Sequence, residues 1–574
     1  MKNQTKIKRH SNLKKVLIVI GLLVLIGVIM FVIKLPSWIA NCKYQDAVAF
    51  MNEDTGVTDL HPCLTKEQRI ADFDYLYKIA CLDNPARDKF EQAQKVSYEK
   101  IYNTYREHVE QAADDYEFFC YMTCFVAILP GEHNLMRFPN YARNAANAQF
   151  VLNDVLATQD LKDYTYSWNL AFRDDVDMYD EYNLIGFNYM DGNYIGSKPN
   201  AEGYKYVPDY YLGRLVSVDG KDPKDMCFEF YSYIAPLYDS GNECFYRNNL
   251  MFNDSIGIRH TAVIEMPDGR QVTTDLYEDP RFMIAYTYGH SNYPDLYKKA
   301  EEKTETPAES VEEIRKTSEQ TGPVTYFIAK DTARKLVYVY SNECNTTEGE
   351  QLAADLKAAL NEIDAERVIL DIRDNGGGER DFCNKQLLPV LFSKDVDYRI
   401  QVIGRKNEYT KNYYESEFWK NFLNRKTTVD DEFFYYTEDF SVKGKAKKDY
   451  KIYLMTSQSS FSAADIITRI CKEYDGVTIV GTNTGGEGIC GSPFNCYLPE
   501  SRFIFTYVPT VEVNETDDSY YGTMPDVYIH RTAEERLKMW ELRDQGVEYK
   551  SYETRTQWDR TLVTLLEMID KGEI

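Results

Sequence analysis

Eighteen consecutive residues without a charge, Val16–Ile33 (VLIVIGLLVLIGVIMFVI), set the first boundary condition on this chain. As a helix, a run of that length spans the hydrocarbon core of a bilayer, and it is long for the apolar stretch of a cleaved signal peptide. Lys2, Lys6, Lys8, Arg9, Lys14 and Lys15 precede it, with no acid among the first 15 residues. The positive-inside bias therefore predicts a cytoplasmic N-terminus and places everything after Lys34 outside. Ser37–Asn41 is a weak small-residue cleavage site, so a removed signal peptide is the alternative to an uncleaved anchor. The expected layout begins with a cytoplasmic basic tail at 1–15 and a transmembrane helix at 16–33.

The remainder is acidic and globular in composition. Of 574 residues 44% are hydrophobic, enough for packed cores, and the length predicts two to four domains. With 66 Lys+Arg against 91 Asp+Glu, the net charge of -25 repels phosphate backbones, so no nucleic-acid partner is expected. The 12 cysteines include no CxxC pair, and no HExxH occurs, so a zinc site has no support in the sequence. Cys490 and Cys496 could pair across a short turn. Cys120 and Cys124, one helical turn apart, suit a buried face, and buried free thiols weigh as much as a disulfide framework.

Three textures follow the apolar run. Residues 45–160 read as a helical domain, with Phe73, Leu76 and Tyr77, then Tyr98, Ile101, Tyr102 and Tyr105, at helical spacings. The run Tyr116–Ile128 stops at the breaker Leu129-Pro130-Gly131, which exposes Glu132-His133-Asn134. Residues 164–298 read as a β-rich module of short strands, with tight turns at Asp219-Gly220 and Pro267-Asp268-Gly269. Residues 301–322 are acidic, lack aromatics and read as a linker. Residues 324–574 alternate strand and helix. Arg367–Ile372 and Tyr450–Met455 are strands buried on both faces, Ser462–Tyr474 is a helix and Val477–Gly481 a third strand. That order predicts an α/β layered sheet with crossovers.

Two loops in this last segment can carry chemistry. Asn375-Gly376-Gly377-Gly378 follows a buried strand, and glycines there let backbone N–H groups turn outward into an anion-binding concavity. No Gly-Lys-Ser/Thr follows, so a phosphate loop is excluded; a plain turn is the bland alternative. In Met455–Asp465 a strand gives way to a helix, and a hydroxyl at such a junction sits beside free helix N-terminal N–H groups. The bland reading makes Ser459, Ser460 and Ser462 helix caps.

Taken together, these loops mark a family. VILDIRDNGGG, then SFSAADIITRICKEYDGVTIVGTNTGGEG, then Tyr521-Gly-Thr-Met-Pro-Asp526, resemble the core of the carboxy-terminal processing (tail-specific) serine peptidases and their tricorn-core relatives. The match covers about Val324–Ile529. Upstream it is looser: the helices resemble the family's N-terminal helices, and Leu212–Lys221 resembles part of a PDZ-type module. The resemblance implies a crotonase-like α/β peptidase core, no metal or organic cofactor, and an extended polypeptide as substrate.

Carried over, the nucleophile falls on Ser462, and the oxyanion hole on the N–H of Ala463 with that of Gly376 or Gly377. The family lysine is missing: its position in the Gly-rich turn is Glu487, too weak a base for a serine proton. The chain thus looks closer to the lysine-lacking, tricorn-core-like branch, in which a loop His is the base. Leu129–Asn134 resembles that loop, with Gly131-Glu132 in place of Asp-Gly, and so points to His133. Glu487 becomes a candidate orienting acid, with Glu512, Glu515, Asp517 and Asp518 as alternatives. The expectation is a membrane-anchored, extracytoplasmic serine endopeptidase. Its rivals are a peptidase-derived peptide-binding protein that has lost catalysis and an acidic membrane-anchored scaffold.

Overall fold

The computed structural model describes residues 64–129, 133–137, 183–196, 210–285, 313–317, 324–407, 410, 426–486, 494–512, 521–548 and 550–574. The apolar run Val16–Ile33 lies outside these residues, and among them no helix is long and apolar enough to cross a membrane.

Helices Lys66–Tyr77, Arg87–Gln94, Tyr98–Gln111 and Asp115–Val126 form the N-terminal unit. Local chemistry starts them: Thr65 and Gln68 make a reciprocal capping box, and the Ser97 and Asp114 side chains each accept from a backbone N–H three residues on. The buried faces, with Phe73, Leu76, Tyr105, Phe119 and Phe125, form one core with Phe503 and Phe505 from the C-terminal half. The buried Asp72 carboxylate fastens the same contact, accepting from the N–H groups of Glu500 (2.9 Å) and Ser501 (2.7 Å).

The β-rich module closes on itself. Strands Leu184–Met190, Asn193–Gly196, Arg214–Val218, Ile258–Glu265, Gln271–Glu278 and Asn249–Asn253 follow one another around a barrel. Closure removes the exposed edges that an open sheet of short strands would present.

The C-terminal half is built on a seven-stranded sheet ordered Glu313–Thr317, Val324–Asp331, Leu336–Ser341, Arg367–Asp371, Lys451–Thr456, Val477–Gly481, Val527–Tyr528. The last five strands are mutually parallel. Each buried strand serves two cores. Val337 and Val339 face helices Thr346–Glu362 and Ala463–Lys472, whereas Leu336, Tyr338 and Tyr340 face the C-terminal helices Tyr552–Trp558 and Arg560–Lys571. This explains the unbroken apolar strands in the sequence. Glu313–Thr317 departs from the linker expected at 301–322: it pairs antiparallel with Val324–Asp331. An edge strand offers a row of unpaired backbone groups, and such pairing needs no apolar side chains, so composition gave no sign of it.

Glu535, in helix Ala533–Asp544, is 5% exposed, and neither carboxyl oxygen has a hydrogen-bond partner. Burial, with Asp559 nearby, pushes its pKa up from 4.5 to about 7. Between those values the unfolded chain ionises while the native carboxyl holds its proton, so stability falls as pH rises through that window. The loss is on the order of 3 kcal/mol by about pH 8. Glu535→Gln is therefore expected to raise the melting temperature at pH 8 and change it little at pH 4.5, measured by thermal unfolding of the purified chain.

Candidate active site

Three loops leave the same edge of the sheet. Strand Arg367–Asp371 runs into Ile372–Gly378, strand Lys451–Thr456 into Ser457–Ser462, and strand Val477–Gly481 into Thr482–Gly486. All three strands are parallel neighbours, so their C-terminal ends meet, the edge at which open α/β sheets place their sites.

The serine-rich turn is tied down by its own hydroxyls. Ser457 Oγ donates to the Arg373 carbonyl (2.5 Å), and Ser460 Oγ to the Ile372 carbonyl (2.8 Å) while accepting from the Ser457 N–H (3.1 Å). Ser462 is spared this role. It stands at the N-cap of helix Ala463–Lys472, yet its side chain makes no capping hydrogen bond. Its backbone lies at φ 56°, ψ -117°, a conformation costing on the order of 1–3 kcal/mol for a residue with a Cβ. The surroundings impose it: Phe461 N–H donates to the Asn375 carbonyl and Ser462 N–H to the Gly486 carbonyl, each at 3.0 Å. The hydroxyl is thereby left half-buried beside the first N–H groups of a helix.

The triple-glycine loop lies against this residue. Gly377 has φ +97°, and a Cβ there would sit 2.7 Å from Ser462 Cβ and 2.8 Å from the Ala463 nitrogen. Only glycine permits both that conformation and that approach. Its N–H, however, is spent on Asn375 Oδ1 (2.9 Å). Gly376 is exposed, a Cβ on it would meet nothing within 4 Å, and its N–H has no partner among the described residues. The Ala463 N–H, first in its helix, likewise has none. Two amides are thus left unspent near Ser462: that of Ala463, next in the chain at the positive end of the helix, and that of Gly376, one residue before the glycine that packs on Ser462.

His133 arrives from the far end of the chain. Leu135–Arg137, just beyond it, adds to strand Ile504–Tyr507 with Leu135 opposite Thr506 and Arg137 opposite Ile504. That pairing lays the His133 ring on Phe461, centroids 4.8 Å apart, one residue before Ser462. Burial pushes its pKa down from 6.5 to about 4. The other described histidines are engaged elsewhere. His108 stacks on Tyr121, His260 sits between Asp219 (2.8 Å) and Glu278 (3.3 Å) in the barrel, and His530 Nδ1 accepts from the Asp191 N–H (3.0 Å).

Of the candidate acids, Glu487, Glu515, Asp517 and Asp518 lie outside the described residues. Glu512 is buried and committed to Arg469. Arg469 Nε also donates to Asp465 (2.8 Å), which accepts from the hydroxyls of Thr484 and Thr523, each at 2.6 Å. This network joins the helix behind Ser462 to the Gly-rich turn and to the Gly-Thr-Met-Pro-Asp element. Asp465 and Asn375 are thus structural members of the site that motif reading passed over. Their only sequence signal is position: Asn375 opens the glycine run, and Asp465 lies one helical turn beyond Ser462. Cys120 and Cys124 are buried free thiols, and Cys490, the possible partner of Cys496, lies outside the described residues.

Relief of the strain at Ser462 is measurable. Ser462→Gly is expected to be more stable than Ser462→Ala, which keeps a Cβ in the same conformation, by about 1 kcal/mol or more in chemical denaturation.

Residues 335–529 match the family model for peptidase family S41. No curated protein matches the chain. Among solved structures, mature CPAF shares 13% identity at a TM-score of 0.47, covering 88% of this chain and 98% of that one. The photosystem II D1 C-terminal processing protease shares 13% at 0.30, covering 81% and 93%. The tricorn protease shares 15% at 0.26, covering 83% of this chain and 36% of that one. The family match takes in the strand, both loops, the helix of Ser462 and the closing Pro525-Asp526 element: residues 335–529 are a peptidase family S41 domain, which makes this chain a serine-type peptidase.

Proposed function

We propose that the chain is a membrane-anchored, extracytoplasmic serine endopeptidase in which Ser462 is the nucleophile and His133 the base. The observation that carries this reading is the state of Ser462: strained, uncapped, followed by the unspent N–H of Ala463 and packed on a glycine loop in which the Gly376 N–H is also unspent. A helix cap needs neither the strain nor the free amides. A nucleophile sharing one site with an oxyanion hole needs both.

In the proposed cycle Ser462 Oγ attacks the scissile carbonyl of a polypeptide as His133 takes its proton. The oxyanion is held by Ala463 and Gly376, with Gly377 supplying close approach in place of a hydrogen bond, because Asn375 already claims its N–H. Each such donor contributes about 3 kcal/mol in the transition state. The imidazolium then protonates the leaving amine, and water, activated by the neutral imidazole, releases the acyl group. Glu487 is the proposed orienting acid, since Glu512 is held by Arg469. The core is read as crotonase-like, the barrel as a PDZ-like module and Val16–Ile33 as a signal anchor, a reading that rests on the apolar run and its basic flank.

The base makes the reading testable. An imidazole with a pKa of about 4 is neutral throughout the neutral range but, like a free carboxylate, a weak base, so the reading requires Glu487 to stabilise the imidazolium as it forms. The kcat/KM for a peptide substrate is expected to rise with pH through an apparent pKa of about 4, well below the 6.5 of an ordinary imidazole. His133→Ala and Ser462→Ala should each cost about 10⁴-fold in kcat, and the double variant little more. Wild-type turnover in His133→Ala alone would place the base elsewhere; wild-type turnover in Ser462→Ala would remove the proposed nucleophile.

The anchor is tested separately. The chain is expected to stay with the membrane pellet after alkaline carbonate washing. A soluble product beginning near Asn41 would mean that the segment is a cleaved signal.

A further inference from the structure

The family match ends at residue 529, yet the base of the glycine loop is held by residues beyond it. Asp371, the last residue of its strand, is fully buried. Its carboxylate accepts from the Arg373 N–H (3.1 Å), Arg373 Nε (2.9 Å), Tyr338 OH (2.5 Å) and Arg555 Nη1 (2.9 Å). Arg373 in turn donates Nη1 to Asp559 Oδ1 (2.8 Å) and Nη2 to Asp559 Oδ2 (2.5 Å), a two-pronged pairing. Asp559 stands between helices Tyr552–Trp558 and Arg560–Lys571 and caps the second, accepting from the Leu562 N–H (3.1 Å). The Arg555 guanidinium lies 5.0 Å over the Tyr340 ring, whose hydroxyl donates to Asp374 (3.1 Å). Burial alone would raise the carboxyls of Asp371 and Asp559, but Arg373 and Arg555 hold both below the usual range, so all four groups are charged.

This cluster reaches the site through the main chain. The carbonyls of Ile372, Arg373 and Asn375 accept from Ser460 Oγ, Ser457 Oγ and the Phe461 N–H. Any shift of Arg373 therefore strains or breaks the hydrogen bonds that set the glycine loop against the Ser462 turn. A folded core needs no such arrangement: apolar residues of similar volume stabilise as well as a buried ion network does. What the network adds is directionality, since a planar guanidinium held on two sides fixes its own backbone in angle as well as in distance.

We infer that the C-terminal helices act on catalysis, with Asp559 and Arg555 as positioning residues that set the oxyanion loop against Ser462. The inference rests on the reading of Ser462 as nucleophile and of Ala463 and Gly376 as oxyanion donors. Asp559→Asn keeps the volume and the helix cap but weakens the grip on Arg373. In the solubilised full-length chain, assayed well below its melting temperature, it is expected to lower kcat about tenfold or more. KM should stay within about twofold, because substrate binding is untouched. Labelling by a serine-directed phosphonate, whose phosphoryl oxygen occupies the oxyanion hole, should slow by the same factor. If Asp559→Asn does not fold, Arg555→Lys is read in the same way, since it keeps the charge and loses the reach to Asp371. Wild-type kcat and labelling rate per folded molecule, in whichever variant folds, would overturn the inference. Ser462→Ala is run alongside: if it retains activity, the reading of the nucleophile has failed and not the clamp.

Discussion

Two strands running parallel and in register, Arg367–Asp371 and Lys451–Thr456, are the constraint on which the rest of the site depends. Because Asp371 lies opposite Met455, the chain leaves the sheet on both strands at one level, and the two loops meet face to face. Parallel pairing demands a crossover between such strands, so loop and helix are supplied by topology before any particular residue is chosen. Side chains then hold the loops together. Serine hydroxyls reach for carbonyls of the glycine loop, the Asn375 side chain braces that loop against Ser341 and the Gly377 N–H, and Gly377 lets the two backbones approach.

The consequence for Ser462 is a division of labour among neighbouring hydroxyls. Ser457 and Ser460 are consumed in holding the turn. Ser462 is pushed into a conformation that few residues adopt and left without an intramolecular partner for capping. Strain of that kind persists only where the surroundings over-determine the backbone, and here hydrogen bonds from both flanking loops do so. The cost sits in a domain with a sheet buried on both faces, where two apolar cores can offset it.

The second long-range element is the delivery of His133. A three-residue strand carries little affinity of its own, but it is backed by a helical unit whose core is continuous with Phe503 and Phe505. The helices therefore do more than cover the peptidase domain: their packing fixes the register that sets the imidazole on Phe461. Burial in that position also explains why the ring departs from ordinary histidine behaviour, since partial loss of solvent disfavours the protonated form.

Much of the peptidase core was legible in the sequence. The apolar strand ending at Asp371, the helix opening at Ala463 and the glycine turns are local patterns, set by burial, capping and φ preference within a few residues. The nucleophile candidate could be read for the same reason, because a hydroxyl at a strand-to-helix junction is a local signal. Other features had no local signal. Which of three serines is left uncapped depends on carbonyls supplied by residues 372–375, far away in sequence. Which glycine N–H stays unspent depends on the rotamer of Asn375. That Glu512 is taken by Arg469, that residues 313–317 extend the sheet, and that Asp559 grips Arg373 are facts of tertiary packing. Sequence determines what a segment prefers by itself; which polar groups remain free is settled only when distant segments have made their hydrogen bonds, because each buried donor or acceptor must find a partner and the site consists of those left over.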